Sequence, residues 1–268
     1  MPSGINMGIK ACKGEIIIFV NAHSVLGKNF LKYSIEYLQV MNADGAGGAL
    51  EWINESNSIV SHAIAFAVNS PFGSGKGYRL KEKEGFVKDT VHCAYPKKTF
   101  EKYGVLDEQL VRGQDCEFNY RILNSGGKIF FTPKIKYYTY ARPSLKKMCT
   151  QYFQYGYFKP LVAQSVGVFF VWRHLATAVF TACLIFFGLT SFVYKPAIWL
   201  FLFIFSFYMV VNIIFSFVIA LRNGLKYFIY LPLIFFMIHF SVGMGYLKGL
   251  LYFKLLNKRD IKDMALSR

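Results

Sequence analysis

Residues 15–26 read EIIIFVNAHSVL, and the reading of the whole chain turns on them. EIIIFV is a continuous apolar run of strand length, which predicts a β-strand covered on both faces. The run stops at Asn21-Ala22-His23. In open α/β sheets ligands bind beyond the carboxyl ends of strands, so an amide oxygen and an imidazole there could hold a divalent ion against a diphosphate. Taken alone, the three residues read more readily as a polar strand end that starts a turn.

Downstream, residues 28–41 read as a helix, with Phe30, Leu31, Ile35, Leu38 and Val40 toward one side. Residues 90–94 and 128–131 are further strand candidates. Residues 114–124 form a short helix punctuated by Gly126-Gly127. Alternating strands and helices predict an α/β domain with a mostly parallel, helix-covered sheet.

The helix at 114–124 opens with Gln114-Asp115-Cys116-Glu117. Glu117 and Arg121 are four apart and face each other, whereas Asp115 sits near the positive helix N-terminus. An ionised carboxylate there could act as general base toward a sugar hydroxyl. The plain alternative is a surface helix with one internal ion pair. Gly73-Ser74-Gly75-Lys76-Gly77 lacks the spacing of a phosphate loop and reads as a flexible loop over a cleft. His62, His92, His174 and His239 are isolated and read as structural.

The composition changes near residue 160. The chain has 268 residues, of which 54% are hydrophobic, with 28 Phe and 18 Tyr, more aromatic surface than a soluble domain carries. Residues 175–194, 196–221 and 227–247 are apolar runs of membrane-spanning length. The third contains Pro232, His239, Gly243 and Gly245, which predicts a re-entrant or interfacial segment. That reading also avoids placing the basic tail outside, against the positive-inside tendency. Residues 145–170 mix Lys and Gln with Tyr, Phe and Val, as in a helix lying in the interface.

The formal net charge is +16. Up to residue 160 there are 21 Lys and Arg against 13 Asp and Glu, and from residue 161 there are 10 against 2. The later basic residues flank apolar runs, as anchors to anionic headgroups do. Without a basic helix or an RNA-type aromatic motif, nucleic acid is not an expected partner. Cys12, Cys93, Cys116, Cys149 and Cys183 have no CxxC spacing, which predicts reduced thiols rather than a zinc site or disulfide framework. The first 15 residues contain no apolar signal-peptide core.

Together these stretches resemble the family 2 glycosyltransferases, in particular the succinoglycan-type exopolysaccharide branch. PSGINMGIKACKGEIIIFVNAHS is similar to the approach to that branch's Asp-x-His metal motif. GKGYRL and DTVHCAYPKKTFEKYGVLDEQLVRGQDCEFNYRILNSGGKIFFTP are similar to its acceptor half. YARPSLKKMCTQYFQYGYFK is similar to its interfacial segment, and RHL with HFSVGMGYLKG to its membrane portion.

The resemblance implies a GT-A-type, Rossmann-like mixed sheet lacking its first strands, followed by an interfacial helix and a helical membrane region. It implies boundaries of 1–144 for the partial transferase domain, 145–173 for the interfacial segment, 174–250 for the membrane region and 251–268 for a basic tail. It implies inverting transfer from a nucleotide-sugar donor to a polysaccharide or lipid-linked acceptor, with Mg2+ or Mn2+ as cofactor. It places the chain in the cytoplasmic membrane with its N-terminal domain in the cytoplasm, beside other polysaccharide-synthesis proteins. Asp115 falls at the base, with Gln114, Glu117 and Arg121 around the substrate. Gln151, Gln154 and Tyr155 fall along the donor and acceptor channel, and Asn21 and His23 at the metal.

Two departures from the family pattern bear on activity. Asn21 stands where an aspartate is expected, which weakens the cation site. About 80 residues of an opening βαβ unit are also expected ahead of Met1. Low activity, or a non-catalytic scaffold role, is therefore the competing expectation. A small transporter is disfavoured, since the apolar runs contain no charge pair and no repeat.

Overall fold

The computed structural model describes residues 2–54, 58–74, 83–88, 90–110, 112–167 and 172–256. They form two compact units. The first contains all six strands with helices α1 (Pro2–Ala11), α2 (Phe30–Val40), α5 (Lys97–Tyr103) and α6 (Gln114–Asn124). The second is helical: α3 (Ile59–Val68), α4 (Pro71–Ser74), α7 (Leu145–Val166), α8 (Trp172–Thr190), α9 (Ala197–Asn223) and α10 (Leu231–Gly249).

The strands are β1 (Ile16–Ile18), β2 (Ser24–Leu26), β3 (Gly45–Ile53), β4 (Gly85–Phe86), β5 (Val91–Pro96) and β6 (Ile129–Tyr140). Their order is β1-β5-β3-β6-β2, with β4 also paired to β6. The sheet is mixed, as a GT-A-like domain requires. Among the described residues only β3 and β6 pair in parallel, and the other four pairings are antiparallel. The mostly parallel sheet read from alternation is therefore corrected. The run at 15–20 is not a doubly covered strand either. It supplies β1 at one end of the order, with only Ile17 fully buried.

The central strand is GAGGALEWI, a sequence of low strand propensity. Its small residues are demanded by its neighbours. A Cβ on Gly48 would overlap the carbonyl of Ile135, and one on Gly45 would press on Ile129 and Tyr95. On both sides of Gly48 the register slips, between Ala46 and Gly48 against β5 and between Gly48 and Ala49 against β6. Such bulges bend a strand and re-aim side chains.

The core of this unit centres on Tyr95. Its ring meets Phe100 and Phe118 edge-on at 5.5 and 5.2 Å, while Phe100 and Phe118 stack at 5.0 Å. Ile9, Ile122, Ile129 and Phe131 complete the cluster, so α1, α5 and α6 all pack on the sheet through it. Helix α2 forms where expected but buries Phe30, Ser34, Tyr37 and Leu38. Leu31, Ile35 and Val40, expected on the buried side, are exposed.

In the helical unit α9 carries 27 residues, and α10 with its π-helical continuation to Leu255 carries 25. At ~1.5 Å per residue both reach the ~30 Å of a hydrocarbon core. The apolar part of α8, Leu175–Thr190, is shorter. Helix α10 runs unbroken through Gly243 and Gly245, with Pro232 in its first turn. The expected interruption of that segment is thus corrected. Helix α7 is buried around most of its circumference between Gln151 and Val162, more than the one-sided burial of an interfacial helix. Gly75, Lys76 and Gly77 of the expected loop, the side chains of Arg173 and His174, and the basic tail from residue 257 lie outside the described residues.

Candidate functional site

The Asn21–His23 turn leaves the sheet between β1 and β2, and the N–H of Ser24 closes it on the carbonyl of Asn21 at 3.1 Å. The Asn21 N–H donates to the hydroxyl of Tyr137 at 3.2 Å. The His23 carbonyl accepts from the Thr139 hydroxyl at 3.4 Å and the Tyr140 N–H at 3.5 Å. The turn is thereby pinned along the last residues of β6, and the His23 ring is exposed.

Helix α6 begins at Gly113, whose φ of 80° lies in the left-handed region that glycine enters without penalty. Gln114 and Asp115 follow, both half-exposed in the first turn. Among the described residues the Asp115 carboxylate has no hydrogen-bond or ionic partner. It lies in the first turn of the helix, at the positive end of the helix dipole.

One turn on, Asn119 is fully buried. Its Nδ2 donates to the Thr90 carbonyl at 2.8 Å, and its Oδ1 accepts from the Tyr95 hydroxyl at 2.7 Å. The start of β5 thus holds the helix that carries Asp115. Two residues later the His92 ring stacks on Tyr137, with centroids 3.5 Å apart and planes 10° apart. Thr90 and His92 are separated by about 7 Å of extended chain. The Asp115 helix and the Asn21–His23 turn, distant in sequence, are therefore fastened to the same short stretch of β5.

Glu117 and Arg121, expected to face the substrate, do something else. Arg121 Nε and Nη2 donate to the two carboxylate oxygens of Glu117 at 2.8 and 2.7 Å. Its Nη1 donates to the carbonyls of Tyr103 at 2.7 Å and Val105 at 3.0 Å. With Glu117 buried and all three guanidinium nitrogens engaged, the pair is a strut between α6 and the end of α5.

Gln151 and Gln154 are buried, at 3% and 1% exposure, and Gln151 Nε2 donates to the Tyr155 hydroxyl at 3.1 Å. These three residues belong to the helical unit. A buried carboxamide needs such a partner, which Tyr155 supplies to Gln151.

Asn6 was not legible as a site residue. It is buried and pairs with both sides of the Leu106 peptide, donating to its carbonyl at 2.9 Å and accepting its N–H at 3.0 Å. It also donates to Glu108 Oε1 at 2.9 Å. Hydrogen bonds from Asn6 and Ser3 hold the Glu108 carboxyl below the usual carboxylate range. The loop that leads to Asp115 is thus bolted to α1.

Among the described residues no group of three or more His, Cys, Asp or Glu side chains comes together to hold a metal ion. Asn21 and His23 offer one carbonyl oxygen, one imidazole and no negative charge. Mg2+ is commonly held by one or two carboxylates together with substrate phosphates. By themselves these two donors make a weak cation site.

The mixed sheet with its packed helices is that of a GT-A-like domain. The family model described as "Glycosyltransferase like family 2" matches residues 2–157, and the chain belongs to that family. It is 29% identical over 254 residues to a dolichyl N-acetyl-α-D-glucosaminyl phosphate 3-β-D-2,3-diacetamido-2,3-dideoxy-β-D-glucuronosyltransferase of Methanococcus voltae, covering 92% of this chain and 74% of that protein. It is 27% identical over 143 residues to the succinoglycan biosynthesis protein ExoA of Rhizobium meliloti (strain 1021), covering 53% of this chain and 43% of that protein.

Proposed function

We propose that the chain is a membrane-anchored glycosyltransferase that moves a sugar from a nucleotide-sugar donor to a lipid-linked or polysaccharide acceptor with inversion. The observation that carries this reading is the Asp115 carboxylate, without a partner among the described residues, on a helix tied, through β5 and Tyr137, to the Asn21–His23 turn. Asp115 takes the proton of the acceptor hydroxyl as that oxygen attacks the anomeric carbon. The bond to the nucleoside diphosphate breaks on the opposite face, and the diphosphate leaves against the turn. Gln114, beside the base, orients the acceptor. Gln151, Gln154 and Tyr155 are further candidate substrate-binding residues.

Asn21 and His23 are the residues that would hold Mg2+ or Mn2+ carried by the diphosphate. Such an ion supplies Lewis-acid neutralisation of the leaving group. The lipid-linked acceptor is supported by the name of the Methanococcus relative, which gives a dolichyl-phosphate-linked sugar as the molecule acted on.

Membrane anchoring is supported by α9, which exposes Trp199, Phe203, Phe207, Val210 and Phe217 along its length. Charged groups are absent between Ala197 and Leu221. With α9 and α10 as two crossings, the end of α10 lies on the side on which α9 begins.

The test is incorporation of radiolabel from UDP-, GDP- and dTDP-sugars into the lipid fraction by membranes containing the chain. Incorporation is expected, with a loss of about 10²-fold or more in Asp115→Asn at unchanged thermal stability. Incorporation that survives Asp115→Asn, or none from any donor, refutes the reading. In the latter case the chain is a scaffold that keeps the fold without turnover.

A further inference from the structure

Among the described residues two non-glycine positions have positive φ, Asn42 in the turn after α2 and His92 inside a strand. A strand residue in the left-handed region is uncommon, and it persists only where its surroundings enforce it. The register shows what enforces it. Between Gly48 and Ala46 β3 advances two residues, while β5 advances three, from Val91 to Ala94. The extra residue is absorbed at His92, with φ 51°. The bulge turns the imidazole so that it lies flat on Tyr137, at 3.5 Å between centroids.

Tyr137 is itself buried and paired in the sheet on both sides, with Leu26 of β2 and Leu50 of β3. One functional group remains at its edge, the hydroxyl that accepts the Asn21 N–H. Ring position therefore sets hydroxyl position, and hydroxyl position sets the first residue of the turn. The path runs from a bent strand through a stacked pair to the backbone amide of Asn21.

We infer that His92 is a positioning residue for the diphosphate turn. Its left-handed backbone keeps the imidazole on Tyr137, which fixes the Asn21 amide. The inference deepens the proposed function and rests on it for the identity of what the turn holds. The fixing of the turn is a separate physical statement and can be measured separately.

The two roles a residue of this kind could have give opposite signs. Glycine adopts φ 51° without penalty, so His92→Gly relieves the backbone while removing the stack. A residue present only to hold the sheet together would lower thermal stability when lost. A positioning residue leaves stability unchanged or raised and frees the turn.

The experiment is hydrogen exchange on the detergent-purified full chain, read in peptides covering residues 19–26, beside thermal melting. His92→Gly is expected to speed exchange there by about tenfold with melting temperature held or raised. His92→Phe, which keeps a ring to stack, restores the wild-type rate. In the transfer assay His92→Gly lowers kcat about tenfold with acceptor KM unchanged. Unaltered exchange at 19–26 in His92→Gly, or faster exchange throughout the chain with a lower melting temperature, overturns the inference. Absence of transfer by the wild-type chain overturns the proposed function alone, because the exchange comparison still decides the role of His92.

Discussion

Replacing Arg121 with Ala separates a strut from a substrate ligand. In the folded chain the guanidinium makes two charge-assisted bonds to Glu117 and two more to the carbonyls of Tyr103 and Val105. Its removal leaves an ionised carboxylate with 9% side-chain exposure and two backbone acceptors without their donor. Breaking a buried pair from one side costs about 3–5 kcal/mol. Arg121 is itself 30% exposed, so water reaches part of the vacated space and the expected loss lies near ~3 kcal/mol. For a chain of this size that is a fall of about 6–12 °C in melting temperature. Adding Glu117→Gln to the Arg121→Ala chain removes the stranded charge and should recover roughly half of the loss. The assay is thermal unfolding in detergent, with donor KM measured on the same preparations. A melting temperature unchanged by Arg121→Ala, together with a donor KM raised tenfold or more, would show that the guanidinium meets the substrate after all.

Asn21→Asp adds the negative charge that the turn lacks, so Mn2+ affinity measured calorimetrically with UDP present should rise about tenfold or more; an unchanged affinity removes the turn from the cation site. Gly48→Ala drives a methyl group into the Ile135 carbonyl in the central strand and should abolish accumulation of folded protein. Gly4→Ala, whose Cβ would meet nothing within 4 Å, should stabilise α1 by about 0.5–1 kcal/mol. The Glu108 carboxyl is depressed by hydrogen bonds from Asn6 and Ser3 in the fold, so its contribution is present above the unfolded pKa and lost as pH falls through the lower folded value. Melting temperature should therefore drop more steeply below pH ~4.3 in the wild type than in Asn6→Ala, and identical slopes would refute the link.

The parts of this fold that were legible in sequence are those where local chemistry and tertiary context agree. Helix α6 could be placed at 114–124 because glycines bracket a run with good helix formers and an internal ion pair, and nothing in the packing overrides them. The face of α2 was misjudged for the opposite reason. Tyr37 is buried against Phe130, stacked at 5.3 Å with its hydroxyl on Glu84, so a polar-tipped residue displaced the aliphatic Leu31 and Ile35.

Strand β3 was missed because glycine and alanine carry no strand signal. Their selection comes from the backbones of β5 and β6, which no local window contains. Of the site, the open carboxylate and the polar turn could be named from sequence. The residues that join them, Asn119, Tyr137 and His92, could not, since each acts through partners two dozen or more residues away. The spacing of Glu117 and Arg121 was read correctly as a pair, but its two extra carbonyl acceptors, which turn a pair into a strut, lie outside the helix.

Helix α10 shows why residues that break patterns are ambiguous in a membrane-like sequence. Pro232, His239, Gly243 and Gly245 suggest a segment that cannot continue as a helix. Each is instead a point of contact. The Pro232 carbonyl accepts from Asn212 Nδ2 at 2.9 Å. His239 Nε2 faces the carbonyl of Phe72 at 2.8 Å and Nδ1 faces the Tyr208 hydroxyl at 2.9 Å. A carbonyl only accepts, so Nε2 carries a proton and the ring has a partner at both nitrogens. A Cβ on Gly243 would overlap Thr181 of α8, and one on Gly245 or Gly249 would overlap the carbonyls of Phe153 or Tyr157 of α7. Where water cannot solvate a helix, close backbone approach and paired polar groups replace side-chain bulk as the source of cohesion. A glycine is then required by the neighbouring helix, and the same letter that would loosen an isolated helix holds this one in its bundle.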